Sequence, residues 1–223
     1  MTIPFDHIEA IFFDLDGTLV ETDDMAVARW ERYLRPFFGA TAHVKARWLL
    51  MKVETPGNMF ITLLDWLHLD RPLMGFTDSL RRRRGVYPAD EFRLIPGVAE
   101  MILNLSGQYQ LGLITTRSSY HIEQFLVRFP EIAEAFQVTV GLQDTRYLKP
   151  SPQPVLLAAK TLNIPVEKCV MVGDTTVDVL SARRAGAWAV GVLCGFGERS
   201  ELEKNGAHLI LNSTAEMAQI VTD

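Results

Sequence analysis

The sequence is poor in cysteine and has no excess of positive charge. Its 223 residues contain two cysteines, and 22 basic against 27 acidic residues give a net charge of −5. Cys169 and Cys194 each lie in an apolar, strand-like run, which suits buried reduced thiols better than a disulfide framework or a metal pair. Without a basic surface we expect no nucleic-acid partner, so an anionic substrate must be attracted by individual cations.

Long hydrophobic runs are also absent. The longest nearly apolar stretch, residues 185–196, is interrupted by glycines and is too short to span a bilayer. The N-terminus shows no basic segment followed by an apolar one, as a secretion signal would. We therefore expect a cytoplasmic protein with no membrane partner.

From about Tyr109 onward, short apolar runs alternate with helical patterns. The runs predict six strands, at residues 8–13, 111–115, 136–140, 169–172, 187–193 and 208–211. Helical patterns follow at residues 121–128, 153–162, 177–185, 200–205 and 214–221. This alternation predicts an α/β fold, a parallel sheet with helices on both faces.

The segment between the first strand and the others has no strand period. Its apolar residues recur at helical spacing instead, as at Trp30, Tyr33, Leu34 and Phe37. We predict an inserted helical domain over residues 21–88 and a core formed by residues 1–20 and 89–223. The four arginines at 81–84 are most simply a solvated helix face.

Two carboxylates, Asp14 and Asp16, directly follow the first strand, and Gly17-Thr18 breaks the chain after them. The carboxyl edge of a parallel sheet is where ligands bind, and strand alternation would point both acids the same way. A phosphate ester and a divalent cation could meet there. The alternative is an acid pair in a tight turn.

Polar residues also follow three later apolar runs. Thr115, with Thr116 and Arg117 after it, could donate to phosphate, or one of the threonines could cap the next helix. Lys149 precedes a proline turn and could offset phosphate charge, or could be a surface lysine. Asp174 ends another strand, and Asp178 lies one helical turn further on, where it could also act as a helix cap.

These residues resemble the haloacid dehalogenase-like hydrolase superfamily. Asp14 to Thr18 match its Asp-x-Asp-Gly-Thr motif, and Thr115, the Lys149-Pro150-Ser151-Pro152 segment and Gly173-Asp174 match the later motifs in order. The resemblance covers essentially the whole chain and implies a Rossmann-like core with an inserted helical cap. Many relatives place Asn after the Thr, so a usual substrate contact is missing here or is replaced by Arg117.

The resemblance implies a Mg²⁺-dependent phosphatase that hydrolyses a small phosphorylated metabolite, similar to phosphoglycolate phosphatase-like members. Asp14 would form an aspartyl-phosphate, and Asp16 would be the acid and base. Thr115 and Lys149 would contact the phosphate, with Thr116 and Arg117 as further candidates. Asp14, the Asp16 main-chain carbonyl and Asp174 would bind Mg²⁺, and Asp178 would orient a water molecule or Lys149.

Other functions remain open on the same residues. A phosphomutase of the β-phosphoglucomutase kind shares all four motifs, and a non-catalytic phosphate-ligand binding protein could keep the fold. Arg47, Lys52 and Asn58 of the cap could reach a bound anion or be solvated. Apolar residues such as Trp48 and Trp66 could pack the cap or form a dimer, so both monomer and homodimer are compatible with the sequence.

Overall fold

The computed structural model describes residues 2–21, 23–42, 45 and 92–220. The chain divides into two units, Met1–Glu21 with Pro88–Asp223 and Thr22–Tyr87. The smaller unit contains helix α1, Asp23–Phe38, followed by the 3-10 turn Gly39–Thr41. The cap candidates Arg47, Trp48, Lys52, Asn58 and Trp66 and the arginines at 81–84 lie outside the described residues.

A six-stranded parallel sheet forms the centre of the larger unit. Its strands are β1 Ala10–Phe13, β2 Gln110–Ile114, β3 Phe136–Val140, β4 Cys169–Gly173, β5 Trp188–Val192 and β6 Leu209–Leu211. The spatial order is β3-β2-β1-β4-β5-β6, with every pairing parallel. The predicted Rossmann-like parallel sheet is confirmed, with each strand within two residues of its predicted limits.

Helices connect the strands. They are α2 Val98–Ser106, α3 Ser119–Arg128, α4 Pro130–Ala133, α5 Gln153–Leu162, α6 Thr176–Ala185, α7 Arg199–Lys204 and α8 Met217–Ile220. The single helix predicted over 214–221 is instead the 3-10 turn Thr214–Glu216 followed by α8. Helices α2 and α4 were not predicted. In the described part of the chain, every helix is too short or too polar to cross a membrane.

Both faces of the sheet are covered by helices, so the described residues of the larger unit form two hydrophobic cores. Strand β1 sends Ile11 and Phe13 into the core shared with α2 and α3. Ala10 and Phe12 point into the other core, shared with α5 and α6. Burial on both faces explains why β1 is continuously apolar rather than alternating. Because β1 is buried on both faces, its orientation is fixed, and so is the position of the acids that follow its carboxyl end.

The chain leaves and re-enters the larger unit along neighbouring paths. Val20 and Leu94 form an isolated antiparallel bridge. Beside it the Glu21 N–H donates to the Arg93 carbonyl at 2.8 Å, and the Ile95 N–H donates to the Leu19 carbonyl at 3.0 Å. The insertion therefore begins and ends at one point, immediately after the turn that carries Asp16.

Both cysteines are free thiols. Cys169 is fully buried, and burial raises the pKa of its thiol to about 12. Cys194, which we expected to be buried, is partly exposed because it lies in the loop after β5 rather than within the strand.

Candidate active site

Five buried polar side chains lie at or near the carboxyl edge of the sheet. Asp14 follows β1, Thr115 follows β2 and Asp174 follows β4, while Lys149 lies in the loop between β3 and α5 and Asp178 lies in the first turn of α6. Because β2, β1 and β4 are adjacent and parallel, their carboxyl ends lie side by side. The topology thus brings together residues that are up to 164 positions apart in the chain.

Lys149 links two of the carboxylates. Its Nζ donates to Asp14 Oδ1 at 2.7 Å, to Asp178 Oδ1 at 2.6 Å and to the Ile114 carbonyl at 3.1 Å. A lysine ammonium has three N–H donors, so each has an acceptor in this arrangement. The lysine side chain is 3% exposed, which rules out the surface-lysine interpretation.

For both Asp14 and Lys149, burial and the neighbouring opposite charge shift the pKa in opposite directions. Burial raises the pKa of Asp14 to about 7 against the attraction of Lys149, and repulsion from Asp178 and Asp16 adds to the rise. Burial alone would lower the pKa of Lys149, but the Asp14 and Asp178 carboxylates raise it above its usual range. Lys149 is therefore a fixed positive charge in the site, whereas the charge on Asp14 depends on its surroundings.

Asp178 has two structural roles at once. Its Oδ2 accepts hydrogen bonds from the Thr175 N–H at 3.1 Å and from Thr175 Oγ1 at 2.5 Å, completing a capping box at the N-terminus of α6. Its Oδ1 accepts from Lys149. The capping role and the lysine-orienting role, which the sequence left as alternatives, are both present.

Asp174 is held by the Gly17-Thr18 turn and by the loop after β5, to which no sequence motif pointed. The Phe196 N–H donates to Asp174 Oδ2 at 2.8 Å, and Thr18 Oγ1 lies 3.5 Å from Oδ1. Gly17 and Gly195 pack so tightly that a Cβ on either would overlap the Asp174 carboxylate. The backbone of Gly17 has a φ of +71°, which also favours glycine. The two glycines leave room for Asp174 and fix its direction.

The described acids fit a hard divalent cation. One ligand oxygen each from Asp14, Asp174 and Asp178 lies within 4.8 Å of the others. An all-oxygen set with excess negative charge suits Mg²⁺. Asp178 is already bound to Lys149 and Thr175, so Asp14 and Asp174 are the two carboxylates best placed for direct binding.

The packing of Gly195 gives a test of this fit. Replacing Gly195 by Ala should displace Asp174 and weaken Mg²⁺ or Mn²⁺ binding about 10- to 100-fold, the usual cost of disturbing a residue that orients a metal ligand. Isothermal titration calorimetry measures the affinity, and circular dichroism checks the fold. Gly107→Ala is the matched control, because a Cβ there meets its nearest atom at an ordinary 3.8 Å. An affinity for Gly195→Ala within twofold of the wild type would contradict the assignment.

Asp16 has a different partner from Asp14. The Arg117 Nε and Nη2 donate to Asp16 Oδ2 and Oδ1, both at 2.7 Å. Strand alternation does not extend to Asp16, because β1 ends at Phe13 and the next residues form a turn. If Asp16 contributes to a cation site, its main-chain carbonyl remains the candidate ligand, since its carboxylate is bound to Arg117.

The two threonines differ in environment. Thr115 is buried, and its Oγ1 accepts a hydrogen bond from the Arg117 N–H at 3.1 Å. Thr116 is exposed. Neither is the N-cap of α3, as one interpretation had it, because that helix begins at Ser119 and its N-cap is Ser118.

The chain is similar to known proteins over most of its length. The family model for haloacid dehalogenase-like hydrolases matches residues 11–192. The chain is 24% identical over 217 residues to pyrophosphatase PpaX of Bacillus cereus (strain ATCC 10987 / NRS 248), with 97% of each protein covered.

Solved structures show the same fold. One from Haemophilus somnus 129pt, described as a predicted phosphoglycolate phosphatase, is 21% identical with a TM-score of 0.66 and covers 96% of this chain and 98% of its own. Another from Thermotoga maritima, provisionally described as a β-phosphoglucomutase, is 24% identical with a TM-score of 0.67. It covers 96% of this chain and 99% of its own. The family match spans most of the chain, including all four motifs. The chain is therefore a hydrolase that belongs to the haloacid dehalogenase-like family.

Proposed function

We propose that this enzyme is a Mg²⁺-dependent phosphatase that hydrolyses a small phosphorylated metabolite through an aspartyl-phosphate on Asp14. The observation that carries the proposal is the buried Lys149, bound to Asp14 and Asp178 beside Asp174. A buried fixed cation next to a carboxylate at a sheet edge suits a site that receives a dianionic phosphate. The PpaX relative, a pyrophosphatase by name, supports phosphatase chemistry.

In the first half-reaction, an Asp14 carboxylate oxygen attacks phosphorus, and the bond between phosphorus and the leaving oxygen breaks. Asp16 donates a proton to that oxygen. In the second half-reaction, Asp16 takes a proton from water as the water oxygen attacks phosphorus. The bond from phosphorus to Asp14 then breaks, giving inorganic phosphate and restoring both carboxyl groups.

Lys149 and Thr115 contact the phosphate oxygens in this mechanism. Lys149 offsets their charge, and Asp178 fixes its direction through the 2.6 Å hydrogen bond. Asp14, Asp174 and the Asp16 main-chain carbonyl would hold the cation, which would supply positive charge to neutralise the phosphate oxygens. Thr116, exposed at the end of β2, is a further candidate contact to substrate.

The choice among phosphorylated substrates depends on residues outside the core that carries the site. The named relatives act on pyrophosphate or phosphoglycolate by their descriptions, so small phosphoanhydrides and phosphate esters are the first candidates for this chain. We assign selection among them to the helical domain proposed over residues 21–88. A cytoplasmic location and a monomeric or homodimeric state complete the proposal.

A phosphomutase is the second candidate, because the fold matches the Thermotoga maritima structure over nearly its whole length. The same aspartyl-phosphate would then pass its phosphoryl group to a sugar hydroxyl instead of water. Turnover that depends on a sugar bisphosphate would identify this reaction.

The proposal is tested by phosphate release from a panel of phosphoglycolate, sugar phosphates, nucleotides and pyrophosphate, with Mg²⁺ or with chelator. We expect release from at least one member that requires Mg²⁺. Folded protein that releases phosphate from none would instead indicate the phosphomutase if it converts a sugar phosphate in the presence of a sugar bisphosphate, and a non-catalytic phosphate-binding protein if it does not.

A further inference from the structure

Arg117 is anchored at both its backbone and its side chain. Its N–H donates to Thr115 Oγ1 at 3.1 Å, and its carbonyl accepts from the Leu142 N–H at 2.9 Å. These contacts join Arg117 to the ends of β2 and β3, two of the strands whose carboxyl edge carries the site. The backbone from which the guanidinium extends is therefore rigid.

The Arg117 guanidinium is held in one orientation by an aromatic ring and a carboxylate. Its centre lies 5.2 Å from the centroid of the Phe92 ring, and Phe92 is buried with its ring edge-on to Phe125 at 5.7 Å. The two 2.7 Å hydrogen bonds to Asp16 are parallel and use both carboxylate oxygens. Stacking on an aromatic face and a two-point grip on a carboxylate are features that arginine supplies and lysine does not.

We propose that Arg117 is a positioning residue that holds the Asp16 carboxyl group in place for proton transfer, an inference that rests on the acid and base role proposed for Asp16. Asp16 needs such a partner because it lies in a turn and its side chain is 29% exposed. Each carboxylate oxygen has two lone pairs, and Arg117 uses one on each. The second lone pair on either oxygen remains for exchange of a proton with the leaving oxygen or with water.

The effect of misplacing the Asp16 carboxyl group on the rate depends on how strongly the leaving oxygen needs a proton. An alkoxide is a poor leaving group and requires the proton from Asp16, whereas p-nitrophenolate departs without one. A misplacement of about 1 Å can cost roughly 100-fold where a group must be held in place. Loss of Arg117 should therefore affect alkyl phosphates strongly and p-nitrophenyl phosphate weakly in the step that forms the aspartyl-phosphate.

A competing role for Arg117 is direct contact with a second anionic group on the substrate. That role makes a different prediction, since removing Arg117 would raise KM for substrates with a second anionic group and leave kcat nearly unchanged. A merely structural role would lower kcat/KM for all substrates alike.

The test compares Arg117→Met and Arg117→Lys with the wild type on p-nitrophenyl phosphate and on the best alkyl phosphate with and without a second anionic group. Arg128→Met is the matched control, because Arg128, the last residue of α3, also lies over an aromatic ring, 5.8 Å from the Phe129 ring centroid. We expect Arg117→Met to lower kcat/KM about 10- to 100-fold for alkyl phosphates and less than about threefold for p-nitrophenyl phosphate. A burst of p-nitrophenolate should appear, because the water-dependent second step is slowed.

The Arg117→Lys variant separates the contribution of the positive charge from that of the two hydrogen bonds to Asp16. Arg117→Lys keeps the charge but cannot grip both oxygens, so we expect it to recover only a small part of the loss on alkyl phosphates. Equal losses on all esters, or a rise in KM confined to substrates with a second anion, would overturn the positioning role while leaving the proposed function intact. A wild type with no Asp14-dependent release from any ester would overturn both.

Discussion

Replacing Asp14 by Asn is expected to lower kcat for phosphate release by about four orders of magnitude or more. The variant loses the attacking oxygen, and removal of a nucleophile in other enzymes costs as much or more. It should still fold, because burial and repulsion from Asp178 and Asp16 already disfavour a charge at this position. Lys149 keeps its hydrogen bonds to Asp178 and to the Ile114 carbonyl.

Phosphate release and trapping of the intermediate together check this result. Rapid acid quenching of the wild type should yield a peptide containing Asp14 that carries one phosphoryl group, and the Asn variant should yield none. Asp16→Asn is the useful comparison, because it keeps the nucleophile and should accumulate the phosphorylated peptide with a good leaving group. Activity of Asp14→Asn within tenfold of the wild type would rule out the aspartyl-phosphate mechanism.

Replacing Lys149 by Met is expected to destabilise the protein and to abolish most of its activity. The change leaves Asp14 and Asp178 buried without their shared cation, and removal of one partner from a buried ion pair typically costs about 3–5 kcal/mol. The loss of charge next to the phosphate should lower kcat/KM by about 100-fold or more. Urea unfolding in the presence of chelator measures the stability, and the phosphate-release assay measures the activity.

Two further variants test whether the effect of Lys149→Met comes from the loss of its buried ion pairs. Lys160→Met, on the exposed side of α5, should change the free energy of unfolding by less than about 0.5 kcal/mol. Adding Asp178→Asn to Lys149→Met should recover part of the lost stability, because one unpaired buried carboxylate is removed. If Lys149→Met unfolds with the same free energy as the wild type, the ion pairs observed in the site contribute little.

Several parts of the fold could be predicted because they depend on local pattern. The strands are short apolar runs bounded by turns, so their limits follow from the sequence within two residues. Helix α2 was missed although Val98, Met101, Ile102 and Leu105 have helical spacing. The helix is only nine residues long, and the Pro96-Gly97 pair immediately before it is typical of a loop.

The candidate site was predictable to the extent that each residue type belongs to a motif with a fixed place at a strand end. The interaction of Phe196 with Asp174 carried no such signal, because it is made by a backbone N–H that any residue except proline could supply. The small residues Gly195 and Gly197 flanking Phe196 after β5 were the available hint of a close backbone approach. The cap candidates of residues 47–66 stay predictions.

The sequence by itself determined the class of the protein: a parallel sheet with helices on both faces, and acids and a lysine in the segments that follow its strands. It could do so because strand period, turn residues and motif spacing are properties of neighbouring residues. Only the tertiary structure decided which side chain binds which, placing Lys149 between Asp14 and Asp178 and pairing Arg117 with Asp16. These contacts join residues 29 to 135 positions apart, and they depend on strand order and register, which no local pattern encodes.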